Sequence, residues 1–312
     1  MRIRFFGPMM GVAAAVIVLS LMPLPATAQG FFKPDAPKVP AAPSWFQERA
    51  RLPPFSPPPL PDGTPDLRGN WRGNGNATDD IEEHPYVDVT TPPQESFIFE
   101  PPDGKIPYQP WAWKKHAEFR EGLGRGWPGE NGTRLHVDPQ ALCLTNVPRM
   151  EYRGNLLISQ SPGVVVVTLD WGHYFRVIPT DGRPHTGNTV KTWMGESRGH
   201  WEGNTLVVDV TNLNGKMWLD SVGNFYSSNV HIVERWTMVD ANTIEYEVTF
   251  EDPTVYTRPW KMVFPIRRNN PRNTEDPYAG EFWEHACHEG EHDSQHLQEQ
   301  GYRWFNGVVP PN

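Results

Sequence analysis

One predicted strand in the second half of the sequence carries ionisable side chains on both of its faces. Over residues 230–239, Glu234 lies on an otherwise apolar face, while His231 and Arg235 lie on the opposite face. A carboxyl group on an apolar face either pairs with a cation or has a raised pKa. The strand therefore offers a candidate general base, Glu234 or His231, with Trp236 beside it as a substrate contact.

A second predicted strand supplies the complementary groups. Over residues 173–178, Arg176 shares a face with Tyr174. We interpret Tyr174 as a general acid and Arg176 as the cation that stabilises a developing anion, because proton transfer is helped by both beside the base. The alternative interpretation is that Arg176 and Glu234 form a structural ion pair with no catalytic role.

Turns and connections near the strands supply candidate binding residues. Arg183 and His185 follow the turn Asp181-Gly182, and loops at strand ends often carry binding residues. The complete set of predicted substrate-binding residues is Arg183, His185, Trp201, Asp209, Asp220, Arg235 and Trp236. A Ser–His–Asp hydrolase site has no support in the spacing of the available serine, histidine and aspartate residues.

Short apolar or alternating segments, separated by tight turns, position these residues. The predicted strands cover 96–100, 155–160, 164–169, 173–178, 199–201, 205–211, 230–239, 243–251 and 259–266. Tight turns between successive strands are typical of an antiparallel meander, and the absence of crossover helices disfavours a parallel sheet. We predict a mainly β fold in which the meander closes into a barrel or, alternatively, packs as a sandwich. One inserted helix is expected near 111–123.

The first thirty residues have the order of a secretory signal peptide. Arginines precede an apolar stretch over 9–22, and Ala26-Thr27-Ala28 supplies the small residues of a cleavage site. The apolar stretch is too short for a convincing membrane span. We therefore expect a periplasmic or secreted protein with no membrane-spanning segment after cleavage at residue 28; the alternative is an uncleaved anchor.

The rest of the chain divides into three parts. Residues 29–61 are proline-rich and predict an extended arm, because proline disrupts both helices and sheet ladders. Residues 62–290 form the predicted β domain, and 291–312 form a polar tail with a short helix. The two cysteines, Cys143 and Cys287, predict one disulfide in an exported protein, the alternative being Cys287 as a metal ligand.

Composition excludes several classes of protein. The formal net charge of −9 argues against a nucleic-acid binder, which needs a basic surface for the phosphates. The 34 prolines among 312 residues argue against a helical bundle or a coiled coil.

Four histidines lie close to the C terminus, at His285, His288, His292 and His296. The last three would share one face of a helix, where two of them could chelate a transition metal. A glycine interrupts this helix and the run is very polar, which favours a solvated tail. We therefore predict no metal and no cofactor, and retain a metal-dependent hydrolase as an alternative.

Several stretches resemble a family of exported, largely uncharacterised bacterial proteins. They are 63–71 (GTPDLRGNW), Cys143 with Pro148-Arg149, 181–185 (DGRPH), 199–209 (GHWEGNTLVVD), Glu234-Arg235, 251–260 (EDPTVYTRPW) and Cys287-His288-Glu289. The resemblance implies an exported β domain and carries no settled activity. Separately, Gly69-Asn70-Trp71 resembles the Gly-x-Trp of the first strand of lipocalin-like barrels.

These features together predict a lipocalin-like barrel that holds a small aromatic or hydrophobic molecule in a tryptophan-lined cavity. The predicted activity is that of a cofactor-independent lyase or isomerase acting by proton transfer. A formaldehyde-eliminating lyase on lignin-type aromatics is one concrete instance. The alternatives are a non-catalytic ligand-binding protein and an envelope-interaction protein whose arm docks a partner.

Overall fold

The computed structural model describes residues 44–85, 93–123, 136–269, 280–287, 295, 298–299 and 301–311, which belong to one compact unit. The strands are β1 Gly69–Arg72, β2 Ile98–Glu100, β3 His136–Val137, β4 Asn155–Ser161, β5 Val164–Leu169, β6 Phe175–Pro179, β7 Glu196–Glu202, β8 Thr205–Thr211, β9 His231–Asp240, β10 Thr243–Glu251, β11 Trp260–Arg268 and β12 Arg303–Trp304. The α-helices are α1 Trp45–Arg49, α2 Asn76–Asp79, α3 Pro110–Glu121 and α4 Arg149–Tyr152, and Pro139–Leu142 is a 3₁₀ turn.

Nine antiparallel strands form one sheet that curls into a nearly closed barrel. Their order is β6-β5-β4-β1-β11-β10-β9-β8-β7, and β2 pairs with β11 beyond the short β1. The predicted mainly β, barrel-forming fold is therefore confirmed. The strands β4 to β6 and β7 to β11 are two meanders, and β1 joins them by pairing with both β4 and β11.

The two end strands of the sheet, β6 and β7, approach each other and nearly close the barrel. Arg176 Nε on β6 donates to Ser197 Oγ on β7 at 2.8 Å. Gly199 on β7 permits this approach, because a Cβ there would lie 2.8 Å from Ile178 Cγ2 and 2.9 Å from Thr180 Cγ2. The seam is therefore joined by side chains packed around a glycine.

The barrel interior is filled by large side chains that alternate along the strands. On β10, Ile244, Tyr246, Val248 and Phe250 are fully buried, as the period of two predicts. Trp236 on β9 packs edge-on against Tyr246, with ring centroids 4.8 Å apart. Aromatic side chains each bury a large apolar area, so these rings dominate the core.

A second group of elements covers the turn that joins β10 to β11. We call this group, formed by α3, α4 and residues 212–230, the cap. Phe119 of α3 contacts Trp218 and Phe225, with ring centroids 5.5 and 5.7 Å apart. Trp111 Nε1 donates to the carbonyl oxygen of Thr254 at 3.1 Å. The helix predicted near 111–123 is α3, which has proline at its N terminus and ends before Gly122.

The arm predicted as extended is only partly so. Its described residues include α1, which packs on the outer wall of the barrel. Trp45 Nε1 donates to Glu245 Oε2 at 3.1 Å, and Arg267 Nη2 donates to Glu48 Oε2 at 2.6 Å. Trp45 is therefore buried against the barrel. The predicted signal peptide and residues 29–43 lie outside the described residues.

The predicted disulfide is confirmed. Cys143, at the end of the 3₁₀ turn, is bonded to Cys287, with their Cα atoms 5.7 Å apart. Cys287 is consequently not a thiolate ligand for a metal. Among the described residues no helix has the length and apolar character to cross a membrane.

Candidate functional site

The Arg176 side chain lies inside the barrel and contacts three other polar side chains. Its Nη1 donates to Glu234 Oε1 at 3.0 Å, and its Nη2 donates to Glu234 Oε2. Nη1 also donates to Glu151 Oε1 at 2.7 Å, and Nε donates to Ser197. All four residues are buried. The structure thus brings Arg176 and Glu234 together as a pair, and their catalytic roles stay predictions.

The two glutamates of this cluster differ in their environments. The Tyr246 hydroxyl donates to Glu234 Oε1, so both Glu234 oxygens have protein partners. Burial raises the pKa of Glu151 well above its ordinary value, opposed by Arg176 and reinforced by Glu234. Burial lowers the pKa of Arg176, but the two glutamates raise it further, so the guanidinium stays charged. Glu151, a carboxyl group with a raised pKa, therefore lies beside the Arg176–Glu234 pair.

The other predicted members of this site lie on the outside of the barrel. Strand β9 alternates, so His231 and Arg235 face away from the interior in which Glu234 is buried. Asp209 on β8 is likewise on the outer face, hydrogen bonded to His231. His231, Arg235 and Asp209 therefore do not share the interior with Glu234, and the roles predicted for them stay predictions. Adjacent residues of a strand point to opposite faces and cannot share one cavity.

On that outer face, Asp209 links two histidines. Asp209 Oδ1 lies 2.7 Å from His185 Nε2, and Oδ2 lies 2.7 Å from His231 Nε2. His231 Nδ1 contacts Glu251, and His185 Nδ1 contacts the Thr211 hydroxyl. Hydrogen bonding to Asp209 raises the pKa of His231 to about 9. All four ring nitrogens of these two histidines have protein partners. The network therefore attaches the loop that carries His185 to the outer face of the barrel, and neither histidine is free to act as a base.

The remaining predicted residues are scattered. Arg183 is exposed and pairs with the carboxylate of its own turn, and Trp201 is half-buried against the core. Tyr174 is also half-buried, and burial raises its pKa. Trp236 is buried inside the barrel. Asp220, predicted to bind substrate, is buried in the cap, where it accepts from three backbone N–H groups and burial raises its pKa to about 6.

A different cavity opens between α2, the 3₁₀ turn and the β5–β6 turn, with Ser221 of the cap at one side. Its volume is about 590 Å³, which is within the range of about 300–1,000 Å³ typical of ligand sites. We call it the cap pocket, and its main lining residues are Thr78, Val137, Gln140, Arg153, Trp171 and Cys287.

Hydrogen bonds fix the orientation of the Gln140 amide on the wall of the cap pocket. Arg149 donates to both oxygens of Asp138, at 2.8 and 2.6 Å, and to Gln140 Oε1 at 3.2 Å. Because a guanidinium only donates, the atom facing Arg149 must be the amide oxygen. The other atom of the amide is consequently Nε2, which is buried and has no hydrogen-bond partner within the described structure.

Arg153 supplies a cation at the same pocket. Its guanidinium carbon lies 5.5 Å from the centroid of the Trp171 ring, and its buried Nε contacts no acceptor among the described residues. Burial and the charge of Arg149 lower the pKa of Arg153, while Asp138 and Asp79 oppose this. In the parts of the chain that the structure describes, Arg153 forms no ion pair with a carboxylate. The cavity therefore has two donors without acceptors beside an aromatic ring.

Sequence reasoning missed the cap pocket because its residues come from six separate segments. A signal that it also missed lies in 288–292, which read HEGEH. This matches the H-E-x-x-H pattern that binds zinc when it lies on a helix. These residues lie outside the described part of the chain, as does His296. Among the described residues, no group of three or more histidine, cysteine or acidic side chains is arranged to hold a metal.

No protein-family model, curated protein or solved structure matches this chain, so the resemblance to exported bacterial proteins stays a prediction.

Proposed function

We propose that the protein binds a small organic molecule in the cap pocket. The observation that carries this proposal is the Gln140 amide, whose donor is buried at the cavity wall without an acceptor. A buried donor left unsatisfied costs about 1–3 kcal/mol. A ligand oxygen that accepts from Gln140 Nε2 would remove this cost. Because Arg149 donates to Gln140 Oε1, the amide cannot exchange the positions of its oxygen and nitrogen.

The lining of the cap pocket is mainly polar, and its apolar part suits an aromatic group of the molecule predicted from the sequence. Trp171, Val137 and Cys287 provide apolar surface, and Arg153 provides a flat cation. Ligand sites commonly combine such apolar walls with a few placed polar groups. The filled barrel interior, with Trp71 and Tyr246 fully buried, also favours the cap pocket over the lumen as the site.

A cavity-filling substitution tests the proposal. Gly75 lines the cap pocket in a right-handed helical conformation, and a Cβ there would meet no atom within 4 Å. Gly75→Leu should therefore add apolar bulk where Gly75 lines the cavity, without backbone strain. Ala50→Leu, on the exposed C-terminal end of α1, is the matched control.

The measurement is native mass spectrometry of each protein, purified from the cells that make it, followed by denaturing extraction. We expect a small molecule bound to the wild type and to Ala50→Leu, and its loss from Gly75→Leu. Equal retention by both variants would show that the molecule binds elsewhere. Bound zinc would instead favour the histidine run at 288–292.

A second candidate function is the predicted proton-transfer lyase or isomerase, and the carboxyl groups of the Arg176 cluster favour it. Glu151 and Glu234 contact one guanidinium and the pKa of Glu151 is raised, and two carboxyl groups in such different environments are a pairing that acid–base enzymes use. Glu151 Oε2 is buried and contacts no hydrogen-bond partner in the described residues. Glu151→Gln should abolish formaldehyde release from a lignin-type aromatic, and Glu247→Gln on the outer face should not. Activity in Glu151→Gln would contradict this candidate.

Export to the periplasm or the medium belongs to the same proposal. The Cys143–Cys287 disulfide supports it, because such bonds persist in oxidising compartments. N-terminal sequencing of the protein from its source is expected to begin at residue 29, and an intact N terminus would contradict cleavage.

A further inference from the structure

We propose that the ligand of the cap pocket carries a carboxylate, which Arg153 and Gln140 hold together. This inference rests on the proposed binding function and adds the chemical class of the ligand. It follows from the hydrogen-bond donors of the lining residues that have no acceptor in the described structure.

The unused groups on the wall are donors. Gln140 Nε2 and Arg153 Nε are both buried without an acceptor in the described structure. The nearby acceptor, Asp138, is already used, because Arg149 donates to both of its oxygens and the Gln140 backbone N–H donates to Oδ1 at 3.0 Å. A ligand group that accepts several hydrogen bonds therefore fits the wall better than one that donates.

The charges near the pocket favour an anion at Arg153. Arg149 and Asp138 neutralise each other as a bidentate pair. Arg153 makes no such pair within the described residues, although the charges of Asp138, Asp79 and Asp170 act on it from a greater distance. A guanidinium binds a carboxylate through two parallel hydrogen bonds, and this fork is stronger than a neutral contact.

The body of the ligand should be flat and apolar. Arg153 lies over the Trp171 ring, so a carboxylate bound at the guanidinium edge places its substituent beside Trp171 and Val137. An aromatic carboxylate meets both requirements. Benzoate is the simplest probe, and benzamide has the same shape without the charge.

Calorimetric titration of the full, disulfide-bonded protein with both probes tests the inference. We expect benzoate to bind the wild type about tenfold or more tightly than benzamide. Arg153→Met should weaken benzoate binding by about 10- to 100-fold, the value of a charge-assisted fork. Gln140→Glu should also weaken benzoate binding. One glutamate oxygen would still accept from Arg149, but the other would replace the Nε2 donor with a negatively charged acceptor.

Arg72→Met is the control for loss of a positive charge, since Arg72 is exposed on β1. It should bind benzoate as the wild type does. Thermal unfolding of each variant establishes that the fold is retained, and Arg153→Lys, which keeps the charge without the fork, should bind benzoate with intermediate strength.

The outcomes separate the two proposals. Equal binding of benzoate and benzamide, unaffected by Arg153→Met but lost in Gly75→Leu, would overturn the carboxylate and leave the binding site standing. Binding of neither probe would overturn the carboxylate. If, in addition, no small molecule copurified with the wild type, the proposed binding function would also be contradicted.

Discussion

Arg176 on β6 and Glu234 on β9 form a fully buried bidentate ion pair between two strands that are not neighbours in the sheet. Glu151 of α4 contacts the same guanidinium, so the pair also joins the cap to the barrel wall. Burying charges is costly, and the cost is recovered only while each charge keeps its partners. The cluster therefore makes the closed barrel depend on three distant segments of the chain.

We expect Glu234→Gln to lower the free energy of unfolding by about 3–5 kcal/mol, because it leaves Arg176 charged and poorly paired in the interior. Urea unfolding measures this, with Glu247→Gln on the outer face of β10 as control. The control should change the free energy by less than about 0.5 kcal/mol. If the Glu234→Gln protein were as stable as the wild type, the structural role of Glu234 would be contradicted, and the predicted catalytic role would be favoured.

The pH dependence of stability should reveal the outer network around Asp209. The pKa of His231 is about 9 in the folded protein and about 6.5 in a free side chain. A raised folded pKa stabilises the fold fully below pH 6.5, and this stabilisation is lost as the pH rises through about 9. Since the His231 side chain is 35% exposed, screening by water reduces the effect to about 1 kcal/mol.

Urea unfolding between pH 6 and 10 checks this expectation. His231→Gln should abolish the decrease in stability over that range, whereas His200→Gln, exposed on β7, should retain it. A wild-type protein equally stable at pH 6.5 and 9.5 would contradict the raised pKa.

Strand periodicity was sufficient to predict part of the molecule. It placed Glu234 on the apolar face of its strand, and the structure buries Glu234 there. It also separated His231 from Glu234, but it did not decide which face lines the interior, since barrels and sandwiches share a period of two. The face of each strand that lines the interior becomes clear only when the sheet closes and Arg176 contacts Glu234.

The cap pocket was beyond sequence reasoning for a physical reason. Gln140, Arg153 and Trp171 have no shared periodicity, and they meet only because the fold brings the 3₁₀ turn, the end of α4 and the β5–β6 turn together. The unused donor of Gln140 becomes apparent only when Arg149 fixes the direction of its amide. Such a signal depends on atomic positions rather than on residue types.

The seam between β6 and β7 gives the last prediction. A methyl group at Gly199 would lie 2.8 Å from Ile178 Cγ2 and 2.9 Å from Thr180 Cγ2, on two β-branched side chains that have little freedom to move. Gly199→Ala should therefore lower the free energy of unfolding by about 1–3 kcal/mol, as overpacking does. Gly75→Ala, where the added methyl meets open space, should leave stability unchanged or raise it slightly. Chemical denaturation of the two variants measures the difference. If Gly199→Ala were as stable as Gly75→Ala, β6 and β7 would lie farther apart in solution, and the barrel would be open at this seam.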